Sequence, residues 1–189
     1  VEKRFRELLD GGGFEYLKNL KDSGEIKAIG VGINCAELMP RFVECCDIDF
    51  FLVAMPYTLL DQPALEVSLP LCEEHGVSVI SGAVFASGIL ATGVSNNPLY
   101  GYEPAEDSII SKVRAIERIC RRFDVPLGAA ALQFPLGHTA VKSVIPGMNS
   151  PEIVQKNLSW FRTDIPADLW SELKEEGLLD SEAPVPSLD

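Results

Sequence analysis

Phosphate binding is the chemistry for which this sequence has the most suitable residues. Residues 141–157 read VKSVIPGMNSPEIVQKN. A short β-branched run ends at Pro146, and Gly147 follows, a residue that lets a ligand approach the main chain. Ser150, Pro151 and Glu152 then have the order of a helix N-cap, a first helical residue and a first-turn acid. A strand passing through a glycine loop into a capped helix aims N–H groups at one point, where the helix dipole favours an anion. The same features describe an ordinary strand-to-helix turn, which on this stretch alone is the commoner outcome.

Acid–base chemistry is harder to find. The expected strand ends fall at 32–34, 54–57, 82–87 and 146–150, and none of them contains Lys, His, Asp or Glu. Asp61 lies further into a loop. His75 ends a helix and His138 precedes a strand, so both are expected to be structural or surface groups. Lys27 and Lys142 open their strands and belong to the opposite end of the sheet. Tyr57 is the one possible proton donor, and an aromatic after a strand is more often packing. No catalytic residue is expected in this chain: its strand ends can bind but carry no acid–base pair.

The chain as a whole limits the alternatives. Its 189 residues are 47% hydrophobic, enough for one domain with a sizeable core. A net charge of −12 excludes a nucleic-acid partner, which needs a basic footprint. No apolar run reaches membrane-spanning length and no signal peptide is visible, so membrane association is not expected and the cytoplasm is the expected compartment. The five cysteines are odd in number and lack CxxC spacing, which reads as reduced thiols and no metal site. Val1 already lies in a helical pattern, so a missing N-terminus is expected.

The elements that must position these residues alternate. Helical patterns at 2–9 and 14–24 precede a strand at 26–32, after which Asn34 and Glu37 suit a capping box. The helix that follows should turn Leu38, Phe42 and Cys45 inward. FFLVA at 50–54 reads as a strand buried on both faces. A helix at 63–75 should kink at Pro70, and a third strand spans 77–81. A long loop, 82–107, separates it from an amphipathic helix carrying Ile109, Val113, Ile116, Cys120 and Phe123. An Ala-rich helix at 126–136, the strand at 141–146, the helix it feeds and a last helix at 166–176 complete the pattern. Four βα units imply an α/β fold with a parallel sheet. An open doubly wound sheet and half of a (β/α)8 barrel both satisfy it.

Several stretches together resemble the C-terminal half of the aldo-keto reductase superfamily: LKDSGEIKAIGVG, PYTLLDQPALEVSLPLCEEHGVSVI, FASGILATG, LGAAALQFPLGHTAVKSVIPG and SPEIVQKNL. The branch most similar is that of D-threo-aldose 1-dehydrogenase, with the L-fucose, L-galactose and pyridoxal dehydrogenases. The resemblance implies a (β/α)8 TIM barrel, with residues 1–180 as strands five to eight with their helices and 181–189 as a frayed tail. It implies an NAD(P)-dependent enzyme acting on a sugar or similar small alcohol or carbonyl. The family's catalytic Asp, Tyr, Lys and His come from the first four strands, which would lie in a missing N-terminal half.

Cofactor binding is what the resemblance transfers to this chain. Phe85, Ser87, Gly88 and Leu90 match the loop over the dinucleotide pyrophosphate. Gly147, Met148, Asn149 and Ser150 match the adenosine-side loop, and Asn157 matches the asparagine that reaches adenine. Asn34 stands one residue late relative to the usual Ser-Asn after the fifth strand, where this chain has Gly32 and Ile33. Ala54 and Gly82 replace the usual Gln and stacking Tyr of the next two strands. The adenosine-side loop lacks Arg and Lys, and Lys156 is spaced to pair with Glu152, so NAD is expected over NADP. The competing readings are a non-catalytic dinucleotide-binding or regulatory protein and a complete flavodoxin-like domain.

Overall fold

The structure, a computed structural model, describes residues 2–95 and 97–187. Helices α1 (Glu2–Asp10) and α2 (Gly13–Asp22) lead into the sheet, with Gly12 between them in the left-handed region (φ 74). The sheet strands are β1 (Gly30–Ile33), β2 (Phe50–Ala54), β3 (Ser78–Gly82) and β6 (Val141–Ile145), parallel and ordered β1-β2-β3-β6. Parallel neighbours require a crossover, and helices supply it. Helix α3 (Met39–Cys45) follows β1 and α4 (Ser68–Glu74) follows β2, while α6 (Asp107–Arg122) and α7 (Leu127–Gln133) separate β3 from β6. Helices α8 (Pro151–Phe161) and α9 (Ala167–Glu175) close the chain, and an Arg122–Glu172 ion pair joins α6 to α9.

Strand side chains alternate between two unlike faces. Phe51, Val53 and Val79 point into the helical layer and are 0%, 3% and 1% exposed. Leu52 and Ile145 point the other way and are 39% and 50% exposed, with Phe50 and Ile80 half-buried beside them. The expectation that 50–54 is buried on both faces is therefore corrected: its apolar run is covered on one face only. Glycine at 30 belongs to the bare face, where the Phe50 ring occupies the space a Cβ would need. Ala129, Ala130 and Ala131 of α7 are fully buried, and side chains that small allow close helix–sheet approach.

Tertiary contacts shift other boundaries. The strand expected from 26 begins at Gly30, because the Asp49 carboxylate accepts the Ile29 N–H (2.7 Å) while also binding Lys21 (2.7 Å). Asn34 caps nothing; a 3-10 turn, Ala36–Leu38, precedes α3 and Cys35 is its N-cap, with its thiol on Glu37. That turn rotates α3, so Met39 and Val43 are buried, Leu38 and Phe42 half-buried and Cys45 exposed. The break in 63–75 falls at Val67 (φ −132), and Pro70 sits in the first turn of α4, where its missing N–H costs nothing. All five cysteines are free thiols. The segment 82–107 is built, holding α5 (Ile89–Thr92) and an antiparallel pair, β4 (Leu99–Tyr100) with β5 (Glu103–Pro104). In the tail from 181, Ala183 is fully buried, and Pro184 and Val185 cover Gly137. Leu188 and Asp189 lie outside the described residues.

Candidate functional site

The loops after β3 and β6 meet around one cavity of about 520 Å³ at the carboxyl end of the sheet. One wall is a run of unusual backbone. Ala83, Ala86 and Ser87 have φ of 54, 46 and 60, and Gly88 has φ 99. Left-handed conformations of non-glycine residues cost on the order of 1–2 kcal/mol each and persist only where the surroundings over-determine them. Here Val84, Ala86, Ile89 and Leu90 are almost fully buried, and the Phe85 carbonyl accepts the N–H of both Gly88 (2.9 Å) and Leu90 (3.1 Å). Such strained, locked backbone is common where a ligand is clamped.

The opposite wall is α8 and the loop that feeds it. Ile153, Lys156, Asn157 and Trp160 form one face at i, i+3, i+4 and i+7 spacing and all line the cavity. Trp160, 8% exposed, is the floor. It packs edge-on to Phe85 (5.6 Å between ring centroids), and its ring fills the space a Cβ at Gly128 would need. Gln133 fixes the end of α8 by donating to the carbonyls of Trp160 and Thr163, both at 2.8 Å. The Lys156 ammonium lies 4.5 Å from the Trp160 ring centroid, a cation–π contact. The expected Lys156–Glu152 pair is thus replaced. The Ser150 hydroxyl, with the backbone N–H of 152 second, holds the Glu152 carboxyl below its usual range.

Asn157 Nδ2 donates to the Gly147 carbonyl (3.4 Å), tying helix to loop. Ser150 does cap α8, its Oγ accepting the Ile153 N–H at 3.3 Å. One of the N–H groups expected to face an anion is therefore already used.

Phe85, Ser87, Gly88, Gly147, Met148, Asn149 and Asn157 all line this cavity. Leu90 and Ser150 do not. Leu90 is fully buried beneath the loop, and Ser150 is turned to its helix. Asn34 stands at the end of β1, separated from β3 by β2, in a second cavity of about 400 Å³ with Cys35, Glu37, Asp61 and Tyr100. Trp160, Ile153 and Tyr102 are lining residues that the sequence reading does not name, and Lys156 is read there only as a partner of Glu152. The helical spacing from Asn157 points to Trp160, Ile153 and Lys156, whereas nothing in the sequence points to Tyr102.

The remaining titratable groups are turned away. Tyr57 is buried against Phe134 (5.1 Å), and burial raises its phenol pKa far above the ordinary value. His138 is buried, its Nδ1 accepting the Ala140 N–H (3.1 Å), and burial lowers its pKa. His75 is exposed, its Nδ1 3.0 Å from the Leu71 carbonyl. Among the described residues no Asp, Glu or His lines the larger cavity, and no group of three or more His, Cys, Asp or Glu is placed to hold a metal ion.

The aldo/keto reductase family model matches residues 12–176. The chain belongs to the aldo/keto reductase family. It is 39% identical over 178 residues to pyridoxal 4-dehydrogenase of Microbacterium luteolum, covering 94% of this chain and 52% of that protein. It is 37% identical over 179 residues to D-threo-aldose 1-dehydrogenase of a Pseudomonas species, covering 94% and 54%. The chain thus spans about half the length of these curated relatives. Among solved structures, an aldo-keto reductase from Bacillus halodurans in its apo form superposes with a TM-score of 0.70 at 24% identity, covering 92% of this chain and 58% of that one. The parallel α/β architecture is that of the family's barrel.

The lining of the larger cavity is neutral apart from one cation. Its strained loop presents backbone, Gly147 leaves open space where a Cβ would stand, and Lys156 is the one charged residue in the lining.

Proposed function

We propose that residues 1–180 are the cofactor-binding C-terminal half of an NAD(P)-dependent aldo-keto reductase barrel, acting on a sugar or similar small alcohol or carbonyl in the cytoplasm. The observation that carries this reading is the convergence of Phe85, Ser87 and Gly88 with Gly147, Met148, Asn149 and Asn157 on one cavity. In this reading the loop 85–88 holds the pyrophosphate by its backbone. The loop 147–149 and Asn157 hold the adenosine end over Trp160. Leu90 and Ser150 act indirectly, by anchoring the first loop and capping α8, and Asn34 serves the nicotinamide end across the strands. Nicotinamide supplies hydride transfer when bound, and this chain supplies binding and orientation. The bare sheet face with Phe50, Leu52, Ile80 and Ile145 supports a missing partner half, which would bring the proton-transfer residues.

NAD is favoured over NADP. The lining contains no Arg, Lys156 is engaged on Trp160, and the Glu152 carboxylate stands at the start of α8. A missing charge-assisted contact to a 2′-phosphate costs about 1.5–3 kcal/mol, roughly one to two decades in affinity. Titration with NADH and NADPH, read by energy transfer from Trp160, should give that ratio. Equal affinities, or an NADPH preference abolished by Lys156→Ala, would reverse the assignment. The 189-residue chain assayed with NAD and L-fucose, L-galactose, D-arabinose or pyridoxal should give no turnover. Sustained turnover above a heat-killed control would refute the division of labour between halves.

A further inference from the structure

The strained loop of the cavity is held from a third side. Tyr102, in the turn between β4 and β5, lines the cavity and donates its N–H to Ser87 Oγ at 3.1 Å. Gly101 and Tyr102 are both left-handed, with φ of 59 and 69, and the two strands are two residues each. A hairpin that short has little stability of its own, so its place depends on what fastens it. Ala105 N–H to the Pro98 carbonyl (2.8 Å) closes its base. The long-range fastening is the Tyr100 hydroxyl, which donates to the Asp61 carboxylate.

Asp61 itself sits in a rigid turn. Its carbonyl accepts the Thr58 N–H (2.8 Å), and Thr58 Oγ1 accepts the N–H of Leu60 (3.2 Å) and Asp61 (3.3 Å). Lys112 of α6 secures the adjacent Leu60 carbonyl at 2.5 Å. Asp61 and Tyr100 line the second cavity and reach the first only through the hairpin. Burial, and then the Asp61 carboxylate, raise the Tyr100 phenol pKa above its ordinary value.

We infer that Asp61, acting through Tyr100, is a positioning residue for the larger cavity: it fixes the hairpin that holds Tyr102 and Ser87, and so sets how long a dinucleotide stays bound. This rests on the cofactor reading above. The effect belongs to release, because the hairpin lies at the rim and its one charged side chain, Glu103, stands outside the lining of the cavity.

The experiment is stopped-flow displacement of NADH, followed by energy transfer from Trp160, on the full chain and its variants. Asp61→Ala and Tyr100→Phe should release NADH about tenfold faster with association changed less than about twofold, the size expected for one lost hydrogen bond to a charged group. Asp61→Asn keeps an acceptor and should stay within about threefold of wild type, a rescue that general loss of structure would not give. Amide exchange at Tyr102 reads the anchoring without ligand and should quicken in Asp61→Ala but not in Asp61→Asn. Normal NADH release in Asp61→Ala and Tyr100→Phe would overturn the proposal. If wild type binds no NADH, the cofactor reading falls, and exchange at Tyr102 alone decides the anchoring: unchanged exchange in Asp61→Ala overturns it.

Discussion

The two faces of the sheet are made from the same strands and similar side chains, yet helices cover only one of them. Phe51 and Leu52 are adjacent apolar residues; the first is fully buried beneath the helices and the second is 39% exposed. Side-chain type alone therefore does not decide burial. The period-2 geometry of the strand assigns each residue a face, and the crossover helices cover only one of them. The same contrast appears at the carboxyl end, where the β3 loop is locked by burial and the exposed β6 loop is tied to α8 by Asn157, while the ends of β1 and β2 frame a separate cavity.

Paired substitutions break or sharpen this contrast. Phe51→Ala should cost about 3–5 kcal/mol in urea denaturation of this chain, whereas Leu52→Ala should cost less than about 1 kcal/mol. In a protein carrying the partner half, Leu52→Ala should rise toward about 2–5 kcal/mol, and failure to rise would mean that the bare face stays bare. A glycine behind the floor of the cavity and one lining it offer the next pair. A Cβ at Gly128 would fall 2.4 Å from the Trp160 ring, whereas one at Gly147 meets nothing within 4 Å. Gly128→Ala should therefore destabilise by about 1–3 kcal/mol and displace Trp160, read as a shifted emission spectrum. Gly147→Ala should leave the melting temperature unchanged and weaken NADH, because its methyl would occupy ligand space.

Ser150→Ala removes the side chain that caps α8 and should cost about 1 kcal/mol. NADH affinity should change little, since Ser150 faces its helix. The smallest effect concerns His138, whose pKa is pushed below its ordinary 6.5 by burial. The unfolded chain then takes up the proton first, so stability is intact above about pH 6.5 and declines as pH falls toward the folded-state value. His138→Gln should flatten that decline in thermal melts between pH 7 and 5. An unchanged slope would show that His138 opens to water.

Much of this fold is legible locally. The apolar spacing of Ile109, Val113, Ile116 and Cys120 specifies α6, and Ser150-Pro151 specifies the start of α8, because caps and periodicity are written into neighbouring residues. The extent of β2 follows from its β-forming run FFLVA in the same way. The fold brings residues named by the motif resemblance, Phe85, Ser87, Gly88 and 147–149, to one cavity.

What the sequence leaves open depends on partners distant in the chain. Left-handed Ala86 and Ser87 have no sequence signature, since alanine and serine adopt that backbone only when buried neighbours hold it. Tyr102 lines the cavity, Tyr100 meets Asp61 across 39 residues, and Tyr57 is packed away on Phe134. The residue types, caps and periods are local and were determined by the sequence itself. The covered face, the strained loop and the lining of the cavity are products of long-range contact, and only the tertiary structure decided them.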